Sequence, residues 1–217
     1  MTSRSELVET LRRRGIRDER VLGAIGRVPR ELFVPGRLRG RAYDDGALPI
    51  GHGATISQPF MVAAICELLQ LVGGERVLDV GTGSGYQAAV LAELAGEVVT
   101  IERVPELAEG ARAALAAARY DDVDLRVGDG TLGVADRSPY DAIAVAAAAP
   151  TPPQALVGQL APEGRLVIPT GGPRGQRLEL VRRAGGGQSS VRSVACRFVP
   201  LVGSGGVGDA TGWPRNS

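Results

Sequence analysis

The chain has 217 residues, of which 44% are hydrophobic, and a formal net charge of +1. This size and composition favour one globular domain with additions around a single core. The longest apolar run, Ala142 to Pro150, is too short to cross a bilayer, and the polar start Met1 to Arg4 lacks the apolar stretch of a signal peptide. We therefore expect a cytoplasmic protein that binds no membrane.

The counts of a few residue types exclude several enzyme classes. Two distant cysteines, Cys66 and Cys196, and one histidine, His52, cannot furnish a closed structural zinc site, so we expect no metal cofactor. All 25 basic residues are arginine. This excludes the lysine of a Schiff-base enzyme and the lysine of a phosphate-binding loop.

The amino-terminal end is basic although the whole chain is not. Residues 1–41 hold eleven arginines and five acidic residues. The near-neutral total gives no general attraction to nucleic acid, and we expect none to bind. The basic segment fits either a solvated helix face, as at Arg12 to Arg14, or a surface that attracts acidic polypeptide.

The first third of the chain is predicted to be helical and then irregular. Ser3 and Glu6 have capping-box spacing at the start of a first helix, and a second helix covers Glu19 to Ile25. Residues 43–59 are rich in glycine and turn residues, which predicts a loop. Apolar residues at helical spacing then predict a helix from Phe60 to Leu71.

From position 76 onward, predicted strands alternate with predicted helices. The strands are Arg76 to Val80, Val98 to Ile101, Leu125 to Val127, Ala142 to Val145 and Arg165 to Ile168, and the helices are Tyr86 to Ala95, Pro105 to Ala118 and Pro153 to Leu160. Such alternation predicts a parallel sheet covered on both faces. The later runs 178–181 and 190–200 predict a closing antiparallel hairpin.

A glycine-rich turn follows the first strand of this region. The strand ends at Val80 and continues into Gly81-Thr82-Gly83-Ser84-Gly85, and Glu102 ends the next strand. Glycines permit a sharp turn and close approach of a ligand to the backbone, and a carboxylate about 20 residues later can bind ribose hydroxyls. A dinucleotide-binding oxidoreductase would have its third glycine at 86, where Tyr86 stands. The spacing is therefore Gly-x-Gly-x-Gly, preceded by Asp79.

The Gly-x-Gly-x-Gly spacing suits a ligand without a pyrophosphate, such as S-adenosyl-L-methionine. We predict that Asp79 binds its ammonium group, Glu102 its ribose and Asp129 the amino group of its adenine. A tight turn without a ligand would explain the glycines alone, but not three acidic residues in this order. The predicted cofactor-binding residues are thus Asp79, Gly81, Gly83, Gly85, Glu102, Asp129 and Gly130.

Further segments are similar to the protein-L-isoaspartate O-methyltransferase family. They include Val28 to Arg30, Phe33 to Pro35, Ala47 to Gly51, Thr55 to Pro59 and Arg197 to Leu201, and the similarity extends over residues 5–202. The resemblance implies an α/β, Rossmann-like class I methyltransferase. Its sheet would be mostly parallel, with an antiparallel C-terminal strand and an N-terminal helical addition. We divide the chain into the helices and an active-site lid (1–59), the cofactor-binding core (60–202) and a flexible tail (203–217).

The resemblance also implies an activity. Such an enzyme transfers a methyl group from S-adenosyl-L-methionine to the α-carboxylate of L-isoaspartyl residues in damaged proteins, leaving S-adenosyl-L-homocysteine. Ser57 matches the catalytic serine, and Thr55 and Ile56 would join it in binding the cofactor. We expect protein or peptide substrates that contain L-isoaspartate, and a monomeric enzyme. Ala54 and Ala146 stand where the family usually has glutamine and threonine, so two polar side chains are missing near the expected pocket.

Other interpretations remain open at this point. A related methyltransferase could install an aspartimide in one biosynthetic peptide, although no added recognition domain is evident. A binding module without activity would lose the cofactor-binding acids, and here they are present. Ser57 could also cap the next helix, and His52, between Gly51 and Gly53, fits a loop residue better than a catalytic one.

Overall fold

The structure is a computed structural model that describes residues 2–185 and 187–208. It begins with the two predicted helices, α1 (Arg4–Arg13) and α2 (Glu19–Arg27). The capping box of α1 is present, since the Ser3 hydroxyl accepts a hydrogen bond from the backbone N–H of Glu6 and the Glu6 carboxylate accepts one from Ser3. This reciprocal pair fixes where the first helix starts.

Residues 43–59 contain a short hairpin where the sequence predicted only a loop. Strand β1 (Leu48–Gly51) pairs antiparallel with β2 (Ala54–Ile56). Its turn, residues 51–53, has φ angles of 99°, 51° and 72°; Gly51 and Gly53 enter this region without strain, and His52 between them is a non-glycine residue with a positive φ. The loop prediction was wrong here because strands of four and three residues, the first containing proline and glycine, leave no alternation to detect.

The remaining seven strands form one sheet. In chain order they are β3 (Arg76–Val80), β4 (Glu97–Glu102), β5 (Asp124–Val127), β6 (Tyr140–Val145), β7 (Leu160–Gly172), β8 (Gly175–Ala184) and β9 (Gly187–Cys196). Their spatial order is β5-β4-β3-β6-β7-β8-β9. The first five strands in this order are parallel, and β8 and β9 add antiparallel. The predicted fold class is confirmed.

Four more helices lie between or before these strands. They are α3 (Pro59–Leu69), α4 (Tyr86–Ala92), α5 (Pro105–Ala117) and α6 (Gln154–Gly158). Helix α3 is almost wholly buried, whereas α5 presents only one face to the core. The predicted helices are therefore present, with ends that differ by a few residues, as is usual where helices fray.

The N-terminal helices and the sheet share one hydrophobic core. Leu7 and Leu11 of α1 belong to the same buried cluster as Ile65 of α3, Leu91 of α4 and Leu178 of β8. The predicted segments 1–59 and 60–202 are thus packed together, and their division stays a prediction. Of the predicted tail, residues 203–208 lie within the described part and 209–217 lie outside it. None of the described helices is long and apolar enough to span a membrane.

The sheet topology creates a place for a ligand. From β3 the chain moves to β4 and β5 on one side, and then crosses to β6 and β7 on the other. The carboxyl ends of β3 and β6 therefore lie side by side, with connections that leave in opposite directions. In open α/β sheets, ligands bind in the crevice at such a switch point.

Candidate functional site

A cavity of about 500 Å³ lies at this switch point. We call it the glycine-loop cavity. It is lined by residues 52–57, 80–84, 86–87, 101–104 and 199–202, and by Val62, Leu107, Gly130, Ala146 and Ala147. The predicted site residues Thr55, Ile56, Ser57, Gly81, Gly83, Glu102 and Gly130 all lie in this lining. The structure thus brings together residues that are up to 75 positions apart in the chain.

The glycine loop has the backbone that the sequence predicted. Gly81, Gly83 and Gly85 have φ angles of 91°, 55° and 90°. Gly81 and Gly83 line the cavity, but Gly85 does not. A Cβ on Gly85 would lie 3.2 Å from Cγ of Leu115 in α5, so this glycine permits close packing of two helices. Its predicted role in cofactor binding is therefore indirect.

Glu102 lies at the carboxyl end of β4 and faces the cavity. Its Oε2 accepts a hydrogen bond from the backbone N–H of Gly83 at 2.8 Å, and its Oε1 accepts one from Val104 at 3.0 Å. The residue is 7% exposed. These bonds fix the carboxylate against the glycine loop and leave lone pairs free for hydroxyl donors.

Asp79 is not among the residues that line the glycine-loop cavity, and its predicted contact with the ammonium group stays a prediction. It is fully buried; its Oδ1 accepts from Gln87 Nε2 and its Oδ2 from the Thr100 hydroxyl, both at 2.8 Å. The Thr100 hydroxyl also shares a hydrogen bond with that of Thr82. Asp79 thus lies beneath the cavity and orients the side chains above it.

Burial raises the pKa of Asp79 to about 6, although the hydrogen bonds from Gln87 and Thr100 oppose this. Desolvation disfavours the ionised carboxylate, and no cation of the described residues offsets that cost. Gln87 donates to Asp79, and its Oε1 is buried without a partner among the described residues. Since Gln87 also lines the cavity, this side chain has spare acceptor capacity at the site.

Asp129 also makes its contacts within the protein. Its Oδ1 accepts hydrogen bonds from the backbone N–H and hydroxyl of Thr131, and its Oδ2 accepts from the same two groups of Ser204. Burial alone would raise the pKa of Asp129, but these bonds outweigh it and lower the pKa. The carboxylate is not part of the cavity lining. Both oxygens already accept hydrogen bonds within the protein, and the predicted contact with adenine stays a prediction.

The neighbouring Gly130 is required for close packing. A Cβ added there would lie 2.7 Å from Cγ1 of Val80, which is nearer than real side chains approach. Asp129 instead anchors the chain just beyond Leu201 and Val202, two residues of the cavity wall. Sequence reasoning missed this wall, and its only signal was the unexplained similarity at Arg197 to Leu201.

A second cavity, of about 330 Å³, adjoins the first. We call it the Phe60 cavity. It is lined by Arg14, Gly46, Ala47, Gln58, Phe60, Met61 and residues 194–199, together with Thr55, Ser57 and Ala146. Thr55, Ser57, Ala146 and Val199 line both cavities. The two spaces therefore meet at Ser57.

Ser57 is not the cap of the following helix. Gln58 occupies the N-cap position of α3 without a side-chain bond, and the first-turn N–H of Phe60 donates to Oδ1 of Asp45 at 3.0 Å. The backbone carbonyl of Ser57 accepts from Arg30 at 3.1 Å. Among the described residues, the Ser57 hydroxyl makes no hydrogen bond, so it is free to meet a ligand where the two cavities join.

His52 lies at the rim, in the turn of the β1–β2 hairpin, and lines the glycine-loop cavity. No described residue places a carboxylate or serine hydroxyl in hydrogen-bond contact with it. Ala54 and Ala146, the two departures from the family pattern, both line this cavity as well. Within the described residues, no group of three His, Cys, Asp or Glu side chains could hold a metal ion.

Comparison with known proteins addresses the predicted family directly. The sequence model of the protein-L-isoaspartate (D-aspartate) O-methyltransferase family matches residues 2–206. The chain belongs to this family. It is 54% identical over 209 residues to protein-L-isoaspartate O-methyltransferase 1 of Rhodopseudomonas palustris, covering 93% of this chain and 83% of the relative. It is 51% identical to the Roseiflexus castenholzii protein-L-isoaspartate O-methyltransferase, with 92% of each chain covered.

Solved structures agree with the family assignment. A Plasmodium falciparum protein of the protein-L-isoaspartate O-methyltransferase family, crystallised with S-adenosyl-L-homocysteine, has a TM-score of 0.82 and 27% sequence identity. The match covers 93% of this chain and 99% of that one. The overall fold described above is therefore that of the protein-L-isoaspartate O-methyltransferase family.

Proposed function

We propose that this chain methylates the α-carboxylate of L-isoaspartyl residues in proteins, with the cofactor in the glycine-loop cavity and the substrate in the Phe60 cavity. Membership of the family makes it an S-adenosyl-L-methionine-dependent protein carboxyl methyltransferase (EC 2.1.1.77). The observation that carries the arrangement is the junction of the two cavities at Thr55 and Ser57. A methyl donor and an acceptor can meet there without leaving the protein.

The residues of the glycine-loop cavity fit this cofactor. Glu102 would accept hydrogen bonds from the ribose hydroxyls, and Gly81 and Gly83 let the ligand approach the backbone. The unpartnered Oε1 of Gln87 is suited to an ammonium donor, with Asp79 holding that amide in place. Ile56 and Gly130 would complete the walls. The bound cofactor supplies an electrophilic methyl group on a sulfonium ion.

The acceptor needs orientation more than activation. A terminal-type α-carboxyl has an ordinary pKa of about 3.5, so the substrate is already ionised at pH 7 and requires no base. Ser57 would donate its free hydroxyl to the substrate carboxylate or the adjacent amide and aim one oxygen at the methyl group. Direct in-line displacement then depends on alignment within a water-poor site.

Ester formation explains how methylation leads to repair. The methyl ester has a better leaving group than the free carboxylate, so the following backbone nitrogen can close a succinimide ring and release methanol. Hydrolysis of that ring returns a fraction of normal aspartate, and the remaining isoaspartate re-enters the cycle. The enzyme thus needs only to perform the methyl transfer.

Three finer proposals accompany this function. Residues 47–59 act as a lid that becomes ordered when cofactor binds, and limited proteolysis with and without S-adenosyl-L-homocysteine tests this. Equal cutting within the segment would contradict it.

The enzyme is a cytoplasmic monomer that acts on damaged proteins and peptides and not on nucleic acid or membranes. The aspartimide-installing alternative is not favoured, because the family model and the similar relatives are named for protein-L-isoaspartate O-methyltransferase.

The decisive experiment is transfer of tritiated methyl groups to a peptide that contains one L-isoaspartate, beside its twin with normal aspartate. We expect base-labile methyl ester on the first peptide and none on the second. Equal labelling of both peptides, or of neither, would overturn the proposed substrate.

A further inference from the structure

Arg30 is a fully buried arginine whose role neither the motifs nor the reaction explains. It follows Val28 and Pro29 and begins a short 3-10 helix, and its relative exposure is 0%. Among the described residues, the guanidinium pairs with no carboxylate. A buried charge without a counter-ion is costly, and an apolar side chain would fill the same space at less cost. Natural proteins usually leave a buried charge unpaired only where it serves a function, so Arg30 is a candidate functional residue.

The guanidinium binds three separate parts of the site. Its Nε donates to the carbonyl of Ala42 at 2.8 Å, and its Nη2 donates to the carbonyls of Ser57 at 3.1 Å and Gly46 at 3.4 Å. Its Cζ lies 4.6 Å from the ring centroid of Tyr86, in cation–π contact. Tyr86 is the first residue of α4, directly after the glycine loop.

Arg30 therefore connects the two sides of the reaction site. Ser57 belongs to the segment at the junction with the Phe60 cavity, and Tyr86 lines the glycine-loop cavity. The segment that carries Ser57 has little regular structure, since β2 has three residues and α3 lacks a side-chain cap of its own. Its position must be set by distant contacts, and Arg30 supplies one of them.

We propose that Arg30 is a positioning residue, which fixes the distance between Ser57 and the cofactor by clamping the Ser57 backbone against Tyr86. This rests on the proposed role of Ser57 in orienting the acceptor. In-line methyl transfer tolerates only small errors of distance and angle, so a loosened Ser57 segment lowers turnover although no reacting group is removed.

A double-mutant cycle separates this role from a general structural one. Arg30→Met should lower kcat on an isoaspartyl peptide about tenfold or more. Affinity for S-adenosyl-L-homocysteine, measured by calorimetry, should change less than about threefold. In the Ser57→Ala background, where the hydroxyl to be positioned is gone, the same substitution should lower kcat less than about threefold. An equal loss in both backgrounds would show that Arg30 does not act through Ser57.

Arg165→Met is the matched control. The Arg165 side chain is 17% exposed, pairs with Glu75 at 4.0 Å and donates to the backbone carbonyl of Gln70 at 3.0 Å, but it lies near the amino ends of the parallel strands. It should leave kcat unchanged in both backgrounds. If Arg30→Met does not fold, Arg30→Lys, which keeps the charge but loses the forked donor, must show the same dependence on Ser57.

A second measurement does not depend on activity. Hydrogen–deuterium exchange of residues 54–58 should speed up about tenfold in Arg30→Met or Arg30→Lys, while exchange in β3 and β4 stays at the parental rate. Unchanged exchange in residues 54–58 would overturn the clamp. A parent enzyme that fails to methylate isoaspartyl peptide would instead refute the proposed function, and the exchange result would still decide whether Arg30 holds this segment.

Discussion

The two sides of the site are held in place by different means. On the cofactor side, the glycine loop and Glu102 follow directly from paired central strands, and their partners lie two to 21 residues away. On the acceptor side, Ser57 and Phe60 depend on side chains of Arg30 and Asp45, which reach across from other segments. We expect changes on the first side to alter folding and cofactor affinity, and changes on the second to alter turnover.

The largest expected effect on the cofactor side is that of Asp79 on the stability of the fold. Its pKa is about 6 when folded and near the ordinary 3.8 when unfolded, so the folded state binds the extra proton between these values. The associated stability is fully present below about pH 3.8 and is lost as the pH rises through about 6. The loss amounts to about 3 kcal/mol. Asp79→Asn removes this titration.

Urea denaturation at several pH values tests this. Relative to the parent, the stability of Asp79→Asn should rise between pH 4 and pH 7. The control Asp124→Asn should show little change relative to the parent between pH 4 and pH 7, because Arg126 lowers the pKa of Asp124 and its titration falls below about pH 3.8. If the stability of parent and Asp79→Asn has the same pH dependence, Asp79 is ionised in the fold at no cost in stability. That result would contradict the expected effect of Asp79 on stability.

Glu102→Ala should have the next largest effect, and it should fall on cofactor affinity. The variant loses charge-assisted hydrogen bonds to the ribose, worth about 1.5 to 3 kcal/mol, or roughly tenfold to 150-fold in Kd. Glu97→Ala, at the other end of the same strand, is the control and should bind S-adenosyl-L-methionine like the parent. Calorimetry that finds parental affinity for Glu102→Ala would refute the ribose assignment.

Ser57→Ala should act on turnover instead. One hydrogen bond to a charged partner is lost, so kcat/KM on an isoaspartyl peptide should fall roughly tenfold to a hundredfold. Cofactor affinity should change much less. Ser138→Ala, at the amino end of β6, provides a serine control that should be inert. Undiminished turnover, or a methylated Ser57 able to pass its methyl group to peptide, would reject the positioning role.

Asp129→Ala should have the smallest effect. It tests whether Asp129 binds the cofactor directly or only anchors Ser204. If Asp129 only anchors Ser204, its loss should weaken cofactor binding less than about tenfold and speed proteolysis near residues 201–208. The exposed Asp136 offers a control on the adjacent turn. A loss of cofactor affinity as large as that of Glu102→Ala would instead show that Asp129 contacts the adenine directly.

The sequence predicted the cofactor side of the site better than the acceptor side. The strands, the glycine loop and Glu102 were predictable because hydrophobic periodicity and glycine spacing report local structure. Whether a carboxylate faces a cavity or lies beneath it depends on the neighbours it meets in three dimensions. The contacts that Asp79 and Asp129 make within the protein could therefore not be predicted, and their predicted contacts with the cofactor stay predictions. Arg30 was noted only as part of the similar segment Val28 to Arg30, and its role gave no signal, since its partners are backbone carbonyls 12 to 27 residues away.

The hydrogen bonds of Asp45 and Asp129 bear on the chemical ageing of the chain itself. Each of these aspartates precedes a glycine, and they form the only two Asp-Gly sequences of the chain. Spontaneous isomerisation begins when the next backbone nitrogen attacks the side-chain carboxyl carbon, and glycine hinders that attack least. In the fold, Asp45 is held by Phe60, Gln58 and Arg14, and Asp129 by Thr131 and Ser204. We therefore expect the contacts that shape the site also to slow, in the repair enzyme, the same isomerisation that it corrects in other proteins.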